Sequence, residues 1–125
     1  MTDSTHPIEG ETVLLAGAKA SVPLARLSTL LEDVHEYLRS RRERLSRRFE
    51  PIDANGRTYV LADAAHWDSV GADLDLRRRE VDALRRAHAA QFRRDGRRTD
   101  RRAEFETTLE IREPVVIGPV DGPTR

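Results

Sequence analysis

The chain has 125 residues, 35% of them charged, no cysteine and a formal net charge of zero. Without cysteine there are no disulfides and no thiol-based metal or redox chemistry, a composition compatible with a reducing interior. Its longest apolar runs fall far short of the roughly 20 residues that span a bilayer, and the polar, acidic stretch 1–10 does not read as a signal peptide, so a cytoplasmic protein with no membrane role is expected.

The zero charge is a cancellation between segments. Residues 39–48 hold six arginines against Glu43, and residues 77–102 hold eleven against Glu80, Asp82, Asp95 and Asp100. The rest of the chain carries five basic residues and seventeen acids. Complementary patches on a near-neutral chain favour association, with a second copy or with an acidic partner. Lys19 is the one lysine among the 22 basic residues. Arginine is always charged, and its planar fork of donors suits carboxylates and phosphates.

Residues 1–9 and 118–125, rich in Thr, Asp, Pro and Gly, read as flexible tails around a single domain at 10–117. The run Val13, Leu14, Leu15, Ala16, Ala18 and Ala20 predicts a short, largely buried helix over 11–20, with Gly17 allowing close approach of a neighbour. Ser21 is the expected N-cap of the next helix and Pro23 lies in its first turn. Leu24, Leu27, Leu31, Val34, Leu38, Leu45 and Phe49 form a narrow stripe on that helix, and such a stripe needs a partner surface. About 26 residues at 1.5 Å each give a rod of roughly 39 Å, comparable to or longer than the domain is wide. Leu27, Leu31, Val34, Leu38 and Leu45 are therefore the expected self-association surface. The same helix carries Glu32, Asp33 and Glu36 before its six arginines, an order that complements the helix dipole without any ligand.

Pro51 ends that rod. Asn55-Gly56 between Ile52 and the run Thr58-Tyr59-Val60-Leu61 predicts a β-hairpin with a two-residue turn, which sets Ile52 opposite Tyr59. A lone hairpin is marginal in water, and Pro114–Gly118, with Val115, Val116 and Ile117, is the natural third strand. Asp63 is the expected N-cap of a short helix carrying Trp67 and Val70 and ending near Gly71. A long helix is expected from Asp75 to about Asp95, stopped by Gly96. On it Val81, Leu84, His88 and Phe92 share one face, while Arg78, Arg79, Arg85, Arg86 and Arg93 share the other. Thr99 begins a segment whose charged start suggests a helix, although Phe105, Thr107, Leu109 and Ile111 also alternate as a strand would. The fold class is α+β, mainly α, with four to five helices and one hairpin.

No catalytic signature accompanies this architecture, and a non-enzymatic protein without cofactor or metal is expected. Residues 14–21 lack the paired glycines and Gly-Lys-Ser order of a phosphate-binding loop. Glu32-x-x-His35 has the spacing used in di-iron bundles, but only one such motif is present, and His35 falls beside the leucine stripe. His88 lies on an apolar face with no nucleophile beside it and reads as a hydrogen-bonded core histidine, as Trp67 reads as a core anchor.

Two binding readings remain. In the first, Arg78, Arg79, Arg85, Arg86 and Arg93 contact an acidic protein partner, in an adaptor that also self-associates. In the second, the same residues contact DNA or RNA phosphates. The second lacks a matching motif: Gly71 between two helices suggests a helix-turn-helix, but Arg77 and Glu80 fall where its second helix must be apolar.

The depletion of lysine, the abundance of arginine and acids and the absence of cysteine, with the stretches His66-Trp67, Arg98-Thr99-Asp100-Arg101-Arg102 and Glu104-Phe105-Glu106-Thr107, resemble small proteins of halophilic archaea that carry a domain of unknown function. That resemblance implies no activity.

Overall fold

The computed structural model describes residues 6–119, so of the tails expected at 1–9 and 118–125 the parts 1–5 and 120–125 lie outside the described residues. In chain order the elements are α1 (Gly10–Ala20), α2 (Leu24–Arg39), α3 (Arg42–Arg48), β1 (Glu50–Ala54), β2 (Arg57–Ala62), α4 (His66–Leu74), α5 (Arg78–Arg98), α6 (Arg102–Leu109) and β3 (Glu113–Pro119). The class is α+β and mainly helical as expected, but with six helices among the described residues and a three-stranded antiparallel sheet ordered β1-β2-β3.

The extra helix comes from a break in the expected rod. Ser40 Oγ and Arg41 Nη1 both donate to the carbonyl of Tyr37, at 2.9 and 3.0 Å, and the amide of Arg41 turns to Leu38 O at 2.9 Å. These side-chain bonds and the tightened turn end α2. The chain re-enters a helix at Arg42, which points Leu45 back into the domain.

That break removes the reason for a partner surface. Leu27, Leu31, Val34 and Leu38 are at most 1% exposed and Leu45 is 8% exposed. The residues expected to hold two copies together instead form the interior of one. Their neighbours are the apolar side of α5, with Ala83, Leu84, Ala87 and Phe92, and the sheet residues Tyr59, Val115, Val116 and Ile117. Aromatic rings tie the layers: Tyr59 meets Phe92 edge-on at 5.0 Å, and Phe92 stacks on Phe105 of α6 at 4.0 Å.

The hairpin follows its sequence. Asn55 and Gly56 take φ of 53° and 82°, the left-handed values that a two-residue turn requires, and Ile52 pairs with Tyr59. Residues 113–119 supply the third strand on the other edge of β2. Residues 102–109 are helical, settling the helix-or-strand choice there.

Several helix boundaries move. Ser21 and Asp75 do not open helices; each takes a left-handed φ, 59° and 56°, and closes the helix before it. Gly71 and Gly96 lie inside α4 and α5 rather than at their ends. A Cβ on Gly71 would stand 2.5 Å from Val81 Cγ2, and one on Gly96 2.7 Å from Phe105 Cδ2, so both glycines mark helix-to-helix contact. Thr99 closes α5, its Oγ1 donating to Asp95 O at 2.7 Å. Asp63 does not cap α4 directly: its Oδ1 accepts from the Ala65 amide, and Ala65 is the N-cap.

Residues 6–9 are not a loose tail. Ile8 is 3% exposed, the Glu9 amide donates to Gln91 Oε1 at 2.9 Å, and the Glu9 carboxylate pairs with Arg57, Arg94 and Arg98. Beside them the fully buried carboxylate of Asp95 accepts from Arg57, Asn55, Gln91 and Tyr59. The burial of Tyr59 and its bond to Asp95 hold that phenol protonated, far above its ordinary range.

Candidate functional site

With its apolar side on the core, α5 presents arginines outward. Arg78, Arg79, Arg86 and Arg93 are exposed and Arg85 is half-buried, so the five expected contact residues do share one helical face, which runs for roughly 22 Å. They are not equally available. Asp82 sits among them and accepts from Arg85 Nη2 at 2.8 Å and from Arg86 Nε at 2.7 Å, bonds that draw its carboxyl below the usual range. Arg93 meets Glu106 of α6 at 3.5 Å, with both side chains about half exposed. Arg78 and Arg79 make no ion pair among the described residues.

Between residues 85 and 93 the arginine face becomes the floor of a groove of about 340 Å³. Ala89 and Ala90 form its base, and their small side chains are what make the helix surface recede there. One wall is α1, with Leu15, Ala16 and Lys19; the other is the α6–β3 junction, with Leu109, Arg112 and Glu113. The groove thus joins an alanine and leucine interior to a rim of five cations: Lys19, Arg85, Arg86, Arg93 and Arg112. Glu113 is the one acid in the lining, and burial raises its carboxyl pKa, which weakens its opposition to the rim. Leu15 remains 54% exposed at the edge.

The chemistry of the groove is that of cations, one carboxylate and apolar side chains. Its lining holds no hydroxyl, thiol or imidazole that could act as a nucleophile or a neutral-pH base. Among the described residues no three His, Asp or Glu side chains converge to hold a metal ion. His88 stands apart: buried against the sheet, it accepts the Val116 amide at Nδ1, 2.9 Å away, and burial pushes its pKa down to about 3.

Sequence reasoning missed Lys19 and Arg112, because each belongs to a different element and neither lies in the helical pattern of 77–102. The available signals were indirect: Lys19 is the sole lysine, and Leu14 and Leu15 sit on the outer side of a helix read as buried, where both are 54% exposed. The leucines assigned to self-association are absent from this groove and from the surface.

Comparison with known proteins places residues 6–119 within the family described as Domain of unknown function (DUF8048). The resemblance to proteins of halophilic archaea gains no support from that match. No curated protein and no solved structure matches the chain.

Proposed function

We propose, for a chain that belongs to the DUF8048 family, a non-enzymatic binding role in which the groove across α5 receives an acidic, amphipathic segment of a protein partner. The observation that carries this reading is the combination in one groove of five cations at the rim and an interior of Leu15, Ala16, Ala89, Ala90 and Leu109. A purely polar polyanion has no use for that interior, whereas a helix or strand with carboxylates on one side and apolar side chains on the other uses both. Ion pairs of Asp82 with Arg85 and Arg86 do not oppose the reading. Such exposed pairs are worth little, so an incoming carboxylate exchanges with Asp82 at small cost.

This reading also explains the preference over nucleic acid. α1 and the α6–β3 junction flank α5 at the groove, and these flanking elements hinder the helix from entering a duplex groove. Self-association through the leucine stripe forms no part of this role, since those leucines are interior.

The test is a fluorescence anisotropy titration of the whole chain with labelled peptides. An acidic amphipathic peptide binds, its affinity falls with salt, and it is lost in Arg86→Glu/Arg93→Glu. Leu15→Ser weakens it too, which a purely ionic contact would not show. Equal binding of a scrambled acidic peptide, or an unaltered titration in the double variant, overturns the proposal. Tighter binding of duplex or single-stranded nucleic acid that weakens steeply with salt and uses the same arginines would replace it with a DNA- or RNA-binding role.

A further inference from the structure

A second cleft, about 410 Å³, lies between the α2–α3 break, α3 and the first turns of α4. Arg44 and Arg48 stand one turn apart on α3, both exposed, and line it together with Arg41. Like charges at four-residue spacing repel, and on α3 they cost stability unless an anion lies between them. Neither Arg44 nor Arg48 has a carboxylate partner among the described residues, whereas Arg47 elsewhere on the same helix pairs with Glu43 at 3.0 Å. Arg41 is fixed in place: its guanidinium stacks 3.8 Å over the Tyr37 ring and donates to the Tyr37 carbonyl.

The opposite wall is the amino-terminal end of α4. Its N-cap, Ala65, offers no side-chain acceptor of its own; the helix brings the positive end of its dipole to the same cleft, where Asp63 Oδ1 already accepts from the Ala65 amide and meets part of it. His66, the first residue of α4, lines the cleft, is 9% exposed, and keeps a buried Nε2 without a hydrogen-bond partner among the described residues. Two carboxylates complete the lining, Asp63 and Asp73, the latter accepting from the Tyr37 hydroxyl. Ser69, one turn along α4, lies between the two ends.

We propose that this cleft binds a small phosphate monoester with a hydroxylated body, the phosphoryl group between Arg44 and Arg48 at the start of α4 and the hydroxyls towards Ser69 and Asp73. The guanidiniums supply the planar donors that phosphoryl oxygens accept from, and the volume suits a compact small molecule. The two carboxylates limit the ligand's charge. Arg41, Arg44 and Arg48 against Asp63 and Asp73 leave the lining one positive charge in excess, which offsets part of a phosphoryl monoester's charge of about −1.5 to −2, while a di- or triphosphate would press far more charge against the carboxylates. The same carboxylates accept hydrogen bonds from sugar-like hydroxyls.

Isothermal titration calorimetry of the whole chain with ribose 5-phosphate, inorganic phosphate, ribose and ATP tests this. Ribose 5-phosphate binds, inorganic phosphate binds more weakly, ribose gives no heat, and ATP binds no tighter than ribose 5-phosphate. Arg44→Ala and Arg48→Ala each lower the affinity by about tenfold or more. Because they relieve like-charge repulsion, both variants keep or raise the melting temperature of the unliganded chain, which separates lost binding from lost folding. Arg102→Ala, on α6 and outside the cleft, leaves the titration unchanged. Unaltered affinity in the Arg44 and Arg48 variants, or absence of binding by both phosphates, overturns the proposal. Tighter binding of ATP through the same arginines overturns the monoester assignment.

Discussion

Asp95 and Arg57 meet inside the domain: Arg57 Nη1 lies 3.0 Å from Oδ1 and 3.2 Å from Oδ2 of a carboxylate with no exposed surface, and the Arg57 side chain is itself only 15% exposed. The pair joins β2 to α5, and Arg57 Nε extends the link to the Pro7 carbonyl at 2.6 Å. Asn55 and Gln91 add donors at 2.9 and 3.2 Å, so the buried carboxylate is surrounded by hydrogen bonds.

Removing one member of such a pair leaves the other charge buried without compensation. Asp95→Ala is expected to destabilise the domain by about 3–5 kcal/mol, measured by urea unfolding. Asp95→Asn, which keeps an acceptor, loses less. Should Asp95→Ala cost no more than an exposed pair, about 1 kcal/mol or less, the cluster is not holding β2 to α5.

His88 gives the domain a pH dependence of defined sign. Its folded pKa, about 3, lies below the ordinary 6.5 because burial disfavours the imidazolium, so in this window the unfolded chain binds the extra proton. Stability therefore rises with pH between the two values and is lost as pH falls from 6.5 towards 3, with a slope approaching ~1.4 kcal/mol per pH unit. Burial lowers the pKa of His6, His35 and His66 as well, which adds slope of the same sign. His88→Gln, which keeps an acceptor for the Val116 amide, is expected to flatten the curve between about pH 5 and 6.5 in urea melts. A slope equal to that of the unmodified chain would show that His88 is not the group responsible.

The leucines of α2 predict folding, not assembly. Leu38→Ala is expected to cost about 2–5 kcal/mol, and Leu31→Asp to abolish the cooperative transition. Sedimentation of Leu38→Ala under native conditions should report the same mass as the unmodified chain. A halved mass with retained circular dichroism would restore the stripe as an interface.

Gly96 and Phe105 bring α5 and α6 into close contact. Gly96→Ala is expected to lose about 1–3 kcal/mol, because its methyl would overlap the Phe105 ring. Phe105→Leu in the same chain should recover part of that loss, a coupling that a double-mutant cycle measures directly. Additive effects would mean that the glycine is needed for another reason.

The legible parts of this fold are those decided within a few residues. Asn55-Gly56 needs nothing but its own left-handed φ values to announce a turn, and the alternation around it fixed Ile52 against Tyr59. The two faces of α5 were equally plain, because 21 residues repeat one pattern. The end of α2 was hidden because it depends on side-chain bonds from Ser40 and Arg41, not on a proline or glycine, and the stripe continued in register past it. Asp75 and Ser21 were misread because a small polar residue serves a helix start and a left-handed helix end alike. The buried Asp95 was counted as one more charge in a basic block, since its partners at 55, 57 and 59 lie some 40 positions away. For the same reason the groove was only half visible: its α5 residues share a period, while Lys19 and Arg112 reach it through tertiary packing.

The position of β2 at the centre of the sheet has a bearing on synthesis. Its second neighbour, β3, comes after every other described element in chain order, so everything up to Arg112 can leave the ribosome with β2 bonded on one side alone. A two-stranded ribbon has little stability of its own, and the apolar side of α5 then lacks Val115, Val116 and Ile117 as a cover. The interior is therefore complete only once β3 has emerged, when the His88 ring can meet the Val116 amide.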